Sequence, residues 1–212
     1  DALGRVMSMG AMMGGTLKGD ETVTIRIDGN GQIGRIVVDA NASGEIRGYA
    51  ENPHCHFEYN DFRLNAKATI GDKGMITVIK DLKLKEPFIG YTPIINGEIA
   101  EDFTDYFAKS QQKPTVIALG VLVDKDGVRA SGGYMIQLMP DATEEDIVAI
   151  EKALEKAPSI SQMIDENKSL EEIARTVTGD EDIMILAQEL DMKYECDCSR
   201  EKFERGLISI GK

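Results

Sequence analysis

The chain has 212 residues, 24 basic and 37 acidic, for a formal charge of −13. That balance argues against nucleic acid and anionic membrane as partners, because a surface that neutralises phosphates has to be locally basic. Hydrophobic residues make up 42%, which permits a packed core and excludes global disorder.

The length suits one or two domains, and no apolar run approaches the ~20 residues that span a bilayer. No basic stretch with a cleavage site marks the chain for export. Three cysteines without an export signal point to the cytoplasm, where paired thiols serve as metal ligands or redox groups more often than as structural staples. Charge and glycine divide unevenly. Residues 1–140 hold 18 acids, 15 bases and 18 of the 21 glycines, whereas residues 141–212 hold 19 acids, 9 bases and three glycines. The first part should be turn-laden and β-containing, the second helical.

In chain order, Leu3 to Leu17 has Arg5 as its one charge before Lys18 and is rich in methionine and small residues, which suits a helix packed tightly on several sides. From Thr22 the period becomes two, with Val23, Ile25 and Ile27 alternating with polar residues. Asp28-Gly29-Asn30-Gly31 then supplies a turn. Strands through Ile36–Val38 and Ile46–Tyr49 complete a meander. Further strands are expected at Met75–Ile79, Val116–Val123 and Arg129–Leu138, the last two joined by Asp124-Lys125-Asp126-Gly127, with a short helix at Glu101–Lys109.

Beyond Pro140, Thr143 caps a helix that carries Ile147, Ile150 and Leu154 and stops at Pro158. Ser159 restarts a segment with Ile160, Met163 and Ile164, and Ser169-Leu170-Glu171-Glu172 is a capping box ahead of Ile173 and Val177, ended by Gly179. Asp182–Leu190 reads as one more short helix. Isolated helices under ~12–15 residues are marginal in water, so this acidic stretch must dock on something or be poised to melt.

Three motifs bear on chemistry. Gly29-Asn30-Gly31-Gln32-Ile33-Gly34 matches a dinucleotide fingerprint, but that fingerprint needs a helix to open after it. The β-branched run Ile36-Val37-Val38 favours a hairpin. His54-Cys55-His56 contains both histidines of the chain; on an extended segment alternate side chains face opposite sides, so it reads as a loop or strand edge rather than a metal site. Cys196-Asp197-Cys198 places two thiols one residue apart. Such a pair can supply half of a Cys₄ zinc site, can close into a short, labile disulfide, or can be incidental.

Taken together, these stretches resemble the 33 kDa chaperonin family of bacterial redox-regulated holdase chaperones. The matching segments are Ala2-Leu3-Gly4-Arg5 with Leu17-Lys18-Gly19-Asp20, and Gly34–Asp39 running on to Arg47-Gly48-Tyr49 and Asn52-Pro53. Val78–Leu82 with Leu84–Pro87, and Gly97–Thr104 with Tyr106-Phe107, follow. Ala130–Gly133 through Gln137–Pro140, and Cys196–Glu201, complete the set in the right order.

The resemblance implies an α+β fold: a mixed β-sheet core with packed helices over 1–140, an acidic helical linker over 141–192, and over 193–212 the beginning of a C-terminal zinc and redox-switch domain. It implies a non-enzymatic, ATP-independent chaperone that holds unfolding client proteins, silent when reduced and zinc-bound, active when oxidised. Cys196 and Cys198 match the family's first cysteine pair, zinc ligands when reduced and a redox-active disulfide when oxidised, with one zinc per full-length chain. A homodimer formed by exchanging elements also follows from the resemblance.

The family's later C-x-x-C and its N-terminal segment have no counterpart here, so the chain is expected to be part of a longer one. Two other readings compete: a dinucleotide-binding oxidoreductase and a passive zinc-binding interaction module. Structural zinc can contribute on the order of 10–16 kcal/mol to a small site, comparable with a whole domain's ~5–15 kcal/mol. Its release could therefore unfold what depends on it, baring the stripes of 141–195, including Ile183, Ile185 and Leu186.

Overall fold

A computed structural model describes residues 1–57, 64–186, 189–196 and 198–210. Helix α1 (Ala2–Gly14) is its axis. On one side lies a six-stranded sheet built from β1 (Thr22–Gly29), β2 (Arg35–Asn41), β3 (Glu45–Ala50), β4 (Gly74–Asp81), β5 (Phe88–Pro93) and β8 (Lys193–Tyr194) in the order β5-β4-β1-β2-β3-β8. On the other lies the hairpin of β6 (Thr115–Asp124) and β7 (Gly127–Gln137).

The alternation seen in the sequence decides which sheet face meets α1: Val23, Ile25, Ile27, Ile36, Val38, Ile76 and Val78 are all buried, and the register sets Ile25 opposite both Val38 and Val78. Polar Thr24, Arg26 and Asp39 take the other face. The small residues of α1 are what let it sit between two β layers. A Cβ on Gly10 would lie 2.8 Å from Val38 Cγ1, and one on Gly4 3.0 Å from Val121 Cγ2.

Residues 30–34 close the β1–β2 hairpin and lead straight into β2, with Gly34 at φ +69°. The Gly31 N–H donates to Ile70 O at the end of α2 (Ala66–Ile70). The glycine run is thus a hairpin turn, and no helix opens there to cradle a pyrophosphate.

Helix α3 (Ile99–Lys109) buries Ile99, Phe103, Tyr106 and Phe107, the last three in edge-to-face contact, and packs on β5 and β6.

The acidic part forms α4 (Glu144–Lys156), α5 (Ile160–Asp165) and α6 (Leu170–Thr178). Thr143 and Ser169 close capping boxes with Asp146 and Glu172, and Gly179 ends α6 in the left-handed region at φ +71°. These helices make a second small core of Ile160, Met163, Ile173 and Val177, laid on Ala118, Tyr134 and Ile136 of the hairpin face that points away from α1. Their seat is α5. Gly120 and Gly132 are cross-strand partners, and a Cβ on Gly120 would lie 2.9 Å from Ile160 Cγ2 and 3.0 Å from the Ser161 backbone nitrogen. Helix α4 is held less closely: Ile147, Ile150 and Leu154 face Val116, Ile136 and Leu138 across a cleft of about 300 Å³.

The expected helix at 182–190 is corrected. Residues 182–186, 189 and 190 are not helical, and positions 187 and 188 lie outside the described residues. Met184 and Leu186 are 79% and 87% exposed, so the segment finds no apolar surface on which a short helix could be stabilised. Ile185 and Leu186, expected to be bared only on undocking, are already exposed. Four elements were not anticipated: α2, β5, β8 and α7 (Arg200–Ile210). No helix among the described residues is long and apolar enough to cross a membrane.

Candidate functional site

After α6 the chain returns to the core sheet. It passes over the β2–β3 turn at Gly44, whose φ of +82° favours glycine and whose missing Cβ would lie 2.6 Å from Asp191 O. The Lys193 N–H donates to Gly44 O at 2.9 Å and the Glu195 N–H to Ile46 O at 3.0 Å. β8 therefore runs parallel to β3, with Glu45 opposite Lys193 and Ile46 opposite Tyr194. The Tyr194 hydroxyl donates to Gly48 O at 3.1 Å, and the Lys193 ammonium lies 3.3 Å from Glu45 and 2.6 Å from Glu195.

This short strand delivers Cys196 beside Arg47 of β3. Arg47 is itself positioned across the sheet, because its Nε donates to Asp39 Oδ2 at 3.1 Å while Thr24 Oγ1 donates to Asp39 Oδ1 at 2.6 Å. Cys196 and Cys198 are exposed and unbridged, their Sγ atoms 2.7 Å apart. The Cys198 thiol and N–H, and then the Arg47 guanidinium, hold Cys196 below the ordinary thiol range. The hydrogen bond with Cys196, followed by burial, pushes Cys198 up. One sulfur of the pair is thus biased toward thiolate and its neighbour toward thiol, the arrangement in which a nucleophilic sulfur has a partner at hand.

The donors can be tested against a metal. Two ligands with arms of ~2.3 Å at a tetrahedral zinc stand about 3.8 Å apart, and a disulfide brings sulfurs to ~2.05 Å. At 2.7 Å the pair lies between the two separations. Soft thiolates suit zinc. By donor type the pair suits half of a tetrahedral set; among the described residues no three His, Cys, Asp or Glu side chains converge on one point.

Cys55 is elsewhere: its thiol faces Asn52 O at 3.4 Å, and it packs against the core beneath exposed His54 and His56. The structure does not bring that trio to Cys196.

A family model described as Hsp33 protein matches residues 1–212. The chain belongs to the Hsp33 family. It is 47% identical to a 33 kDa chaperonin of Bacillus cytotoxicus, covering 100% of this chain and 73% of that relative, and matches one from Bacillus cereus equally. Among solved structures, the Thermotoga maritima 33 kDa chaperonin (Heat shock protein 33 homolog) superposes with a TM-score of 0.87 at 35% identity, over 98% of this chain and 71% of that one. The α+β fold of this Hsp33 family member is therefore shared with a solved relative, and the relatives' name is that of a chaperone, not an enzyme.

Sequence reasoning found the two thiols but missed Arg47, Asp39 and the glycines at 44 and 48. No local signal could have supplied them. Tyr194 and Gly48 are 146 positions apart, and only the pairing of β8 with β3 makes them neighbours.

Proposed function

We propose that this Hsp33 family member is a cytoplasmic, ATP-independent holdase whose hold on unfolding client proteins is set by the redox state of Cys196 and Cys198. The observation that carries the reading is the pair of exposed, unbridged thiols 2.7 Å apart, next to the strand that closes the core sheet.

Zinc, one per full-length chain, would be held by Cys196 and Cys198 with two further donors, and when bound supplies a tetrahedral clasp that keeps both sulfurs as thiolates and ties their segment down. Once the thiols are free, peroxide can join them: two S–H bonds are lost, one S–S bond forms, and two electrons and two protons pass to the peroxide, giving two waters. A disulfide between thiols one residue apart closes a short ring, and Cys196 follows directly on β8 and on the stretch leading back to α6.

The helices upstream are suited to respond. They are short, lie in a stretch (141–192) that holds 15 acids against 4 bases, and make a small core on the hairpin from four buried side chains, Ile160, Met163, Ile173 and Val177. Undocking bares those residues together with Ala118, Tyr134 and Ile136, an apolar surface of the kind that binds unfolded chains. The acidic charge keeps the complexes dispersed. A homodimer, in which such elements could be exchanged between subunits, is part of the same reading.

The test uses protein extended through the second cysteine pair. Light scattering of a heat-denatured client should fall when the protein has been treated with peroxide at mild heat, and zinc per chain should drop from about one to near zero in step. Equal suppression by reduced and oxidised protein defeats the switch. Zinc retained under peroxide points to the passive module instead.

A further inference from the structure

The six-stranded sheet has two edges of different character. β5, at one end, is preceded by Pro87 and ends on Pro93. Proline has no N–H to offer a neighbouring strand and blunts an edge against further pairing. β3, toward the other end, contains no proline, is flanked and interrupted by Gly44 and Gly48, and is the edge of the core but for the two residues of β8.

Three carbonyls of this stretch point outward. Those of Gly44 and Ile46 accept the Lys193 and Glu195 N–H groups, and that of Gly48 accepts the Tyr194 hydroxyl. Lys193, Tyr194 and Glu195 are themselves exposed. The hold on β8 is therefore main-chain hydrogen bonding, one hydroxyl and the Lys193–Glu45 ion pair, with no buried side chain. A seat of that kind is tolerant of sequence: the ladder supplies the affinity, and side chains only adjust it.

We propose that the β3 edge is a docking site for an extended segment of an unfolded client, which adds as a parallel strand in the place of β8, and that residues 193–195 are a built-in placeholder. The occupant is argued from the one seen on the seat now, an extended strand held by its backbone. The seat asks for free N–H groups at alternate positions, which excludes proline there. Glu45 favours a lysine or arginine opposite it, as Lys193 is, which suits basic segments meeting a chain of net −13. Release of the placeholder leaves three main-chain acceptors open to the next extended chain. The timing of that release rests on the redox reading above; the seat itself does not.

The experiment separates the two. The probe is a fluorescent peptide spanning residues 190–196 with serine for Cys196, read by anisotropy on the complete chain. Glu195→Pro removes the N–H that bonds Ile46 O, together with the exposed Glu195–Lys193 ion pair, and should bind the peptide at least about tenfold tighter than the reduced parent. Combining Lys193→Ala with Tyr194→Phe leaves the backbone untouched and should give a smaller gain in the same direction. The same peptide with proline at its Glu195 position should bind neither. Reduced, carboxymethylated lactalbumin, which cannot fold, should displace the peptide from Glu195→Pro and from oxidised protein alike. Equal peptide affinity in parent and both variants overturns the proposal, as does lactalbumin that is held without displacing the peptide. Suppression of aggregation by the oxidised chain is measured alongside. If it is absent, the redox reading falls while the peptide result still decides the edge.

Discussion

Asp102 lies in the first turn of α3, buried, and accepts the N–H groups of Ile95 and Asn96 at 2.8 and 3.2 Å, which pins the loop carrying Gly97 at φ +79°. Its replacement by alanine strands donors in a desolvated place, at roughly 1–3 kcal/mol per donor. Urea unfolding of Asp102→Ala should show that loss. Burial pushes the Asp102 carboxyl above the ordinary value of 3.8, against the opposing pull of the backbone N–H groups. The folded state therefore holds its proton to higher pH than the unfolded chain does, so this group's contribution to stability declines as pH rises from 3.8 through the raised folded value. Asp102→Asn keeps an accepting oxygen and should remove that slope from a plot of Tm against pH. A slope unchanged in the variant assigns the pH dependence to other carboxylates. In the sequence Asp102 was visible only as part of the short helix expected at Glu101–Lys109. Its burial depends on the 94–97 loop folding over it, which no local pattern encodes. Cys196 and Cys198 were legible as a thiol pair from their spacing, with their role implied only by the resemblance, while Arg47 was not legible, because its place beside Cys196 depends on which strand lies next to β3.

The strands that face α1 were legible because a period of two with one buried face leaves a single register, and α4 and α6 because their caps are written locally. β5 was hidden: this six-residue edge strand follows Pro87, ends on Pro93 and buries Gly90 and Thr92, so no alternation of large apolar residues marks it. The 182–190 stretch misled because its composition suits a helix, whereas Met184, Ile185 and Leu186 stand exposed. The meeting of α5 with the hairpin was also invisible, since Gly120 and Gly132 become a seat only when paired. That seat makes a prediction at this scale. Gly120→Val places a side chain where the Ile160 side chain and Ser161 backbone now lie, an overpacking of ~1–3 kcal/mol. It should lift α5 without harming the α1 core, seen as amide exchange over 160–178 about tenfold faster or more, and should give client holding without oxidant. Unchanged exchange would show that the seat does not govern docking. Ser169→Ala should loosen the same region more mildly, by about 1 kcal/mol for a lost cap. The Ser169 N–H, and then its hydroxyl, hold Glu172 below its ordinary 4.5, so the cap's contribution is present above that pH and is lost as pH falls through the depressed value.

Across the whole molecule the two halves differ in what salt does to them. Residues 1–140 carry a net charge of −3 and residues 141–212 one of −10, so docking the helices concentrates like charge against a small apolar seat. Among the described residues, one ion pair ties these helices to the hairpin, Arg129 of β7 with Asp165 of α5 at 2.8 Å, and Arg129 is half exposed. A pair of that kind contributes at most about 1 kcal/mol, whereas the acidic groups repel one another over distances comparable with the screening length. Repulsion is therefore the larger effect. Raising ionic strength from about 0.01 M to about 0.1 M shortens the screening length from ~30 Å to ~10 Å and should strengthen docking. Amide protection over 160–178 should rise relative to β1 and β4, and activation by peroxide should slow. Arg129→Ala should leave that trend standing with a slightly lower starting protection. The opposite trend, protection falling with salt in the parent and flat in Arg129→Ala, would mean that the Arg129–Asp165 pair outweighs the charge of the whole acidic half, and that these helices are held by electrostatics rather than poised against them.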